Sequence, residues 1–342
     1  MLNRALVVCA TVAGLVALGP RGSLAQESRT TGGSKAWQVP RTPWGHPDLQ
    51  GIWTTDEEIG VPLERPVELG KKALLTDQEF TDRAQRLKKK YEDDKNDRRS
   101  RPGDTEAGPE HWYEGGLHVS RRTSLVIDPP NGRIPEYTAE AKNRIVPKGT
   151  EINAGGSFGN GPFDGPEDLH LADRCITRGM PHTWLPSEYN NGFQIVQSRD
   201  NIVIYYERLH EARVIPFDGT APPTSKVGRW MGESRARWEG DSLVIDVVNL
   251  SDRTTWRKSP GSTRRLTERL TRLDPETVRV EVTVNDPTTW TRSWAFAVTG
   301  KKDPNYWQIF EYACHEGNYA MRNILSGARA KEKAASQGKK SK

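Results

Sequence analysis

The sequence predicts a mainly β protein, an antiparallel meander closing into a lipocalin-like barrel, with an N-terminal extended arm and one amphipathic helix. From Thr123 onward the apolar residues recur with a period of two, as in Val278, Val280, Val282 and Val284 alternating with Arg279, Glu281 and Thr283. The connections between such runs are short, at Asp200-Asn201, Asp218-Gly219, Glu239-Gly240-Asp241 and Asp274-Pro275-Glu276. Antiparallel neighbours accept such turns, whereas parallel neighbours need a long crossover. A meander of about seven or eight strands closes into a barrel or splits into two packed sheets, and a small barrel holds one ligand in its mouth or lumen.

Residues 1–25 have the form of a signal peptide: Arg4 in a short n-region, an apolar stretch from Ala5 to Leu18, and Ser23-Leu24-Ala25 before the expected cleavage at Gln26. That apolar stretch is short for a membrane span and no later one is longer, so an exported protein, periplasmic or extracellular, is expected. Removing Arg4 and Arg21 takes the formal charge from +5 to +3, which does not argue for a nucleic-acid partner. Of three cysteines, Cys9 leaves with the signal, and Cys175 and Cys314 remain to form a disulfide in an oxidising compartment.

Residues 26–122 hold a leader, an arm and a helix packed on the barrel. Pro40 to Trp53 mixes prolines and glycines with two tryptophans, which reads as an arm laid across the body, with His46 in a turn between Gly45 and Pro47. Thr76 and Glu79 form a capping box, and Phe80, Ala84, Leu87 and Tyr91 line one face of a helix expected over Asp77 to Asp97. A polar stretch with His111, Trp112 and His118 follows.

The barrel domain spans 123–328. Strands are expected at Ser124 to Asp128, Phe193 to Gln197, Ile202 to Tyr206, Ser242 to Val248, Leu266 to Thr271, Val278 to Val284, Trp290 to Val298 and Tyr306 to Tyr312. A Gly/Pro-rich insertion, 131–187, reads as an ordered cover with a strand around Arg144 to Val146. Residues 329–342 read as a disordered basic tail, with five lysines and one glutamate from Lys331 on.

No Walker loop, dinucleotide fingerprint, His-Glu-x-x-His or Cys-x-x-Cys is present. Gly155-Gly-Ser-Phe-Gly159 matches a nucleophile elbow in letters, but no strong strand precedes Ser157, and Gly161-Pro162 breaks any helix after it. The densest chemistry is Ile309-Phe-Glu-Tyr-Ala-Cys-His-Glu-Gly-Asn-Tyr319. On a strand, Trp307, Ile309 and Glu311 share a core-facing side, and His315, Glu316 and Asn318 follow at the barrel mouth. A second cluster, Tyr206 to Arg213, carries Glu207, Arg208 and His210.

These clusters predict an acid–base site. His315 transfers the proton, Glu311 or Glu316 orients it, and His210 with Arg213 stabilises charge. Tyr206, Glu207, Asn318 and a pocket-lining Trp290 contact substrate. The reading is an exported lyase or hydrolase acting on a saccharide or another oxygen-rich small molecule, with no cofactor. One alternative is a small-molecule-binding barrel without catalysis. Another is the same site loaded with a divalent metal on His210, His315 and Glu316. His182, beside Pro181, is a weaker candidate, and salt-bridged strand ends account for such residues without any chemistry.

Pro47-Asp-Leu-Gln-Gly-Ile-Trp53, Pro62-Leu-Glu-Arg-Pro66, Arg122-Thr-Ser-Leu-Val-Ile-Asp-Pro-Pro130, Tyr189-Asn-Asn191, Trp238-Glu-Gly-Asp-Ser-Leu-Val-Ile-Asp246, Asp286-Pro-Thr-Thr-Trp290 and Glu311-Tyr-Ala-Cys-His-Glu-Gly-Asn-Tyr319 form a recognisable set. In these motifs the chain resembles a large, uncharacterised family of secreted bacterial proteins. The resemblance covers most of the mature chain and implies a signal peptide and one shared fold. It carries no activity and therefore assigns no catalytic residue.

Overall fold

The period-two runs become strands. The computed structural model describes residues 37–100, 119–152, 163–217, 219, 227–304 and 306–340. The signal segment, the leader to residue 36, His111, Trp112, His118 and the Ser157 loop lie outside the described residues. Ten strands form one antiparallel sheet: β1 (Gly51–Thr54), β2 (Val126–Asp128), β3 (Gly192–Gln197), β4 (Asn201–Tyr206), β5 (Ala212–Pro216), β6 (Glu233–Glu239), β7 (Ser242–Val248), β8 (Arg265–Asp274), β9 (Thr277–Asn285) and β10 (Trp294–Lys301). Across the sheet the order is β5-β4-β3-β1-β10-β9-β8-β7-β6, with β2 pairing β10 off that path.

The predicted barrel is not closed. Without β2, nine of the ten strands alternate in direction along the path. The edge strands β5 and β6 therefore point the same way, and no antiparallel ladder can join them. The sheet nevertheless curls until these edges lie side by side. Arg213 on β5 donates to Glu268 on β8 at 2.8 Å. Six strand steps separate them in the sheet order, which on a flat sheet is about 29 Å. Side chains fasten the seam: Arg213 Nη2 donates to Ser234 Oγ on β6 at 2.7 Å, and Phe217 stacks on Trp238 with centroids 6.1 Å apart.

The inner face carries the core: Ile202 and Ile204, Leu243 and Ile245, Leu266 and Leu270, Val278 to Val284 at alternate positions, and Trp294, Phe296 and Val298. Each such side chain taken from water contributes about 1.5–3 kcal/mol. The arm runs across the body, from Arg41 at Asp241 and His46 at Trp238 to Leu49 at Gln197. Its end is β1, inserted between β3 and β10, with Leu49 and Trp53 fully buried. The Pro/Gly composition hid a four-residue strand. Helix α1 (Asp77–Ser100) begins at the expected box, with Glu79 N donating to Thr76 Oγ1 and Thr76 N to Glu79 Oε2 at 3.3 and 2.8 Å.

The insertion 131–187 forms no strand at Arg144 to Val146. A short helix, α2 (Ala139–Asn143), capped by Thr138, precedes that point. Farther on, the insertion buries Leu169, Leu171, Met180 and Trp184, so it fills the inside of the curl as well as covering it. Trp184 sets its edge against Phe193 and Tyr206 and donates to Glu268 Oε1 at 2.9 Å. Tyr306 to Tyr312 is irregular chain, not a strand. The tail expected to be disordered from residue 329 continues a helix, α3 (Tyr319–Lys340). Among the described residues no helix is long and apolar enough to cross a membrane.

Candidate functional site

At the end of β4 the chain reverses through a tight turn, in which Leu209 and His210 take positive φ values of 62° and 51°. Tyr206 N donates to Glu211 O at 2.8 Å, and Glu207 N to Gly192 O at 2.9 Å. The reversal turns Glu207 inward, leaves Arg208 beside Ser187 and Tyr189, and directs His210 at the C-terminal segment. Gly192 is required here, because a Cβ would come within 2.5 Å of Tyr306, whose hydroxyl donates to Glu207.

The insertion supplies the facing wall. Glu211 anchors it, accepting from the Thr177 hydroxyl and from Arg178 N at 3.0 Å. Beyond that anchor a turn at His182–Trp184 brings Arg178 Nη2 to 3.1 Å from His182 Nε2. Both side chains are buried.

Between these walls lies a cavity with room for about one water (about 10 Å³), within a depression of about 290 Å³ that includes its open mouth. Arg178, Arg208, Thr183 and Asn191 line it. Arg178 is 6 % exposed and makes no ion pair among the described residues. Thr183 Oγ1 and His182 Nδ1 are buried without a hydrogen-bond partner. Arg208 is engaged at the mouth. It lies over the Tyr189 ring at 4.5 Å and hydrogen-bonds Ser187 at 2.5 Å and the Tyr312 hydroxyl.

The electrostatics follow from burial. Burial, and then the charge of Arg208, push Arg178 down to about 9. Burial and then Arg178 hold His182 well below its usual value, so it is neutral and Nε2 accepts from the guanidinium. Burial also raises Glu211, Glu207 and Asp173, opposed respectively by Thr177, by Asn190 and by His170. A cavity lined by the Arg178 and Arg208 guanidinium groups and the unpartnered Thr183 hydroxyl is suited to receiving an anionic oxygen group.

The structure redistributes the predicted site. His210 reaches the C-terminal segment, where its Nε2 accepts from Tyr312 N at 2.6 Å with Phe310 O at 2.9 Å, and so anchors chain. Glu311, His315 and Glu316 are exposed and have no side-chain partner among the described residues. With the strand absent, nothing directs them inward, and the acid–base set built on His315 is not assembled. Arg213 is not at a substrate. It sits in the core, bonded to Glu268, Tyr206 and Ser234.

Tyr206 lines the cavity, 3 % exposed and packed on Trp184, whereas Glu207 is occupied by Gly192 N and Tyr306. Trp290 belongs to the core. It is 1 % exposed, among Trp256, Trp294 and Tyr137. Asn318 holds backbone, donating to Asp173 O at 3.1 Å. Among the described residues no three His, Cys, Asp or Glu side chains converge for a metal, so His210, His315 and Glu316 are not a ligand set. The disulfide joins Cys175 to Cys314 as expected, with Cα atoms 5.7 Å apart.

Sequence reasoning missed Arg178, Arg208, Thr183 and Tyr312 as one group. One usable signal was Arg178-Gly-Met-Pro in a long Gly/Pro-rich loop, since binding residues concentrate on loops. Another was Tyr189-Asn-Asn191, a motif with no core periodicity. No family model, curated protein or solved structure matches the chain.

Proposed function

We propose that this is an exported protein that binds a small, oxygen-rich anion, such as a carboxylated sugar, seating the carboxylate between Arg178 and Arg208. The observation that carries the reading is Arg178: a buried guanidinium with no carboxylate partner, beside an unpartnered Thr183 hydroxyl, on the wall of a cavity. A buried unpaired charge is costly, and a bound anion supplies the missing partner. The enclosed space has room for about one water, so a single carboxylate oxygen enters it and the rest of the molecule sits at the mouth by Tyr189 and Arg208.

Thermal unfolding with glucuronate, galacturonate, citrate, acetate and neutral glucose tests this. An anion at a hundred times its Kd adds about 2.7 kcal/mol of stability. The acids are expected to raise Tm in the natural protein and not in Arg178→Gln. No rise with any acid, or an equal rise in the variant, rejects the reading.

A second reading, proton-transfer catalysis of the lyase or hydrolase kind at this same mouth, is favoured by Asp173. Its Oδ2 is buried without a partner and its carboxyl is raised by burial, with His170 and Arg208 close enough to oppose that shift. Asp173→Asn would abolish conversion of a bound sugar acid, followed by proton NMR, while leaving its binding in place. Conversion that persists in Asp173→Asn removes this reading.

A further inference from the structure

At the opposite end of the β5–β6 seam from Arg213 lies a groove of about 680 Å³, within the range of small-molecule sites. Its floor is aromatic. Phe217 lies nearly parallel to Trp238, and His46 lies 5.5 Å from each ring. All three are only partly buried. Trp238 Nε1 and His46 Nδ1 are buried and have no hydrogen-bond partner. The rim is the β3–β4 turn, where the side chains of Arg199, Asp200 and Asn201 line or adjoin the groove and have no side-chain partner among the described residues.

We propose that this groove is a second ligand site and takes a neutral saccharide, with the apolar face of one pyranose ring against Trp238 and Phe217. Three features select that chemistry. Trp238 and Phe217 are only partly buried and keep aromatic surface open to the groove, which the C–H face of a sugar ring covers. Asp200 accepts two hydrogen bonds, Arg199 only donates, and Asn201 does both, which is the mixture that vicinal hydroxyls require. Trp238 Nε1, otherwise an orphan, gains a ring or hydroxyl oxygen as acceptor.

The site is independent of the Arg178 cleft. It lies at the Asn201 end of β4, whereas the cleft lies at the Tyr206 end. The binding of a sugar here and of an acid there are therefore separate outcomes.

Saturation-transfer NMR with cellobiose, xylobiose, maltose and benzoate tests the proposal on the full mature chain. At least one disaccharide is expected to receive saturation, strongest at its ring C–H protons. That transfer is expected to fall at least fivefold in Trp238→Ala. Because Trp238 also fastens the seam, Asp200→Ala provides a variant on an exposed turn that leaves the fold intact, and it too is expected to weaken transfer at least fivefold. The proposal is overturned if no disaccharide is saturated, if only benzoate is, or if transfer survives in Asp200→Ala. Loss of sugar transfer in Arg178→Gln, with Asp200→Ala unaffected, would also overturn it by placing the sugar in the other cleft.

Discussion

Arg213 Nη1 reaches both oxygens of Glu268, at 3.0 and 2.8 Å, with the two side chains 3 % and 0 % exposed. Burial by itself would lower Arg213, but Glu268 and Tyr206 more than offset it and the guanidinium is held above its ordinary range. This contact joins strands far apart in the sheet order, so it measures the curl. Glu268→Leu is expected to destabilise the fold by about 3–5 kcal/mol, because it strands a buried cation. The double variant Arg213→Met/Glu268→Leu should recover most of that loss. Urea unfolding of the two variants and the natural protein gives the comparison.

Arg178 presents the opposite balance, since burial outweighs the charges that oppose its shift and it makes no ion pair among the described residues. In anion-free buffer Arg178→Met is expected to raise stability by about 1–2 kcal/mol while removing the response to sugar acids, the trade expected of a group kept for binding. Calorimetry with and without glucuronate measures both. A less stable Arg178→Met would mean that the guanidinium is a structural tie.

The Cys175–Cys314 bond spans 139 residues and pins the segment that carries Tyr312 to the mouth of the cleft. Chain-entropy arguments put its contribution at up to about 5 kcal/mol. The Cys175→Ser/Cys314→Ser pair should lower the urea midpoint and speed amide exchange at Tyr312, whose N–H is held by His210. Exchange at Tyr312 equal to that of the oxidised protein would show that His210 holds the segment unaided.

Asp173, Glu207 and Glu211 all hold their protons more tightly in the folded chain than in the unfolded one, because burial penalises the carboxylate. Folding therefore takes up protons. The contribution is complete below the ordinary carboxylate values and is lost as pH rises through the raised folded ones. Stability should increase as pH falls from neutrality toward those ordinary values, and acid binding at Arg178 should strengthen over the same interval as nearby negative charge disappears. Titrations of Tm and of glucuronate affinity should share that slope.

His315→Ala, Glu311→Gln and Glu316→Gln change only exposed side chains. Each is expected to shift stability by less than about 0.5 kcal/mol and to leave acid binding unchanged. A large loss of binding in His315→Ala would return the site to the C-terminal segment.

Much of the fold was legible because a strand with one buried face leaves its period in the chain. β7 falls on Ser242 to Val248 as predicted, and β3, β4 and β9 lie within one residue of the predicted ends. β6 was missed because Arg235, Arg237 and Glu239 dominate a strand whose inward face holds the small Ser234 and Ala236 and a half-buried Trp238. Tyr306 to Tyr312 misled for the reverse reason. Its aromatics alternate without a partner strand, and Trp307 is 70 % exposed. The site was less legible, since Arg178 and Arg208 meet only after the insertion folds into the curl.

By itself the sequence determined the β class, the α1 cap and the disulfide pair, because period, capping and cysteine count are local or compositional properties. Tertiary structure alone decided that the sheet stays open at a parallel seam, that Arg213 is core and that Arg178 lines a cavity. These depend on the number of strands in the path and on which distant residues share the interior, and no local pattern carries that information.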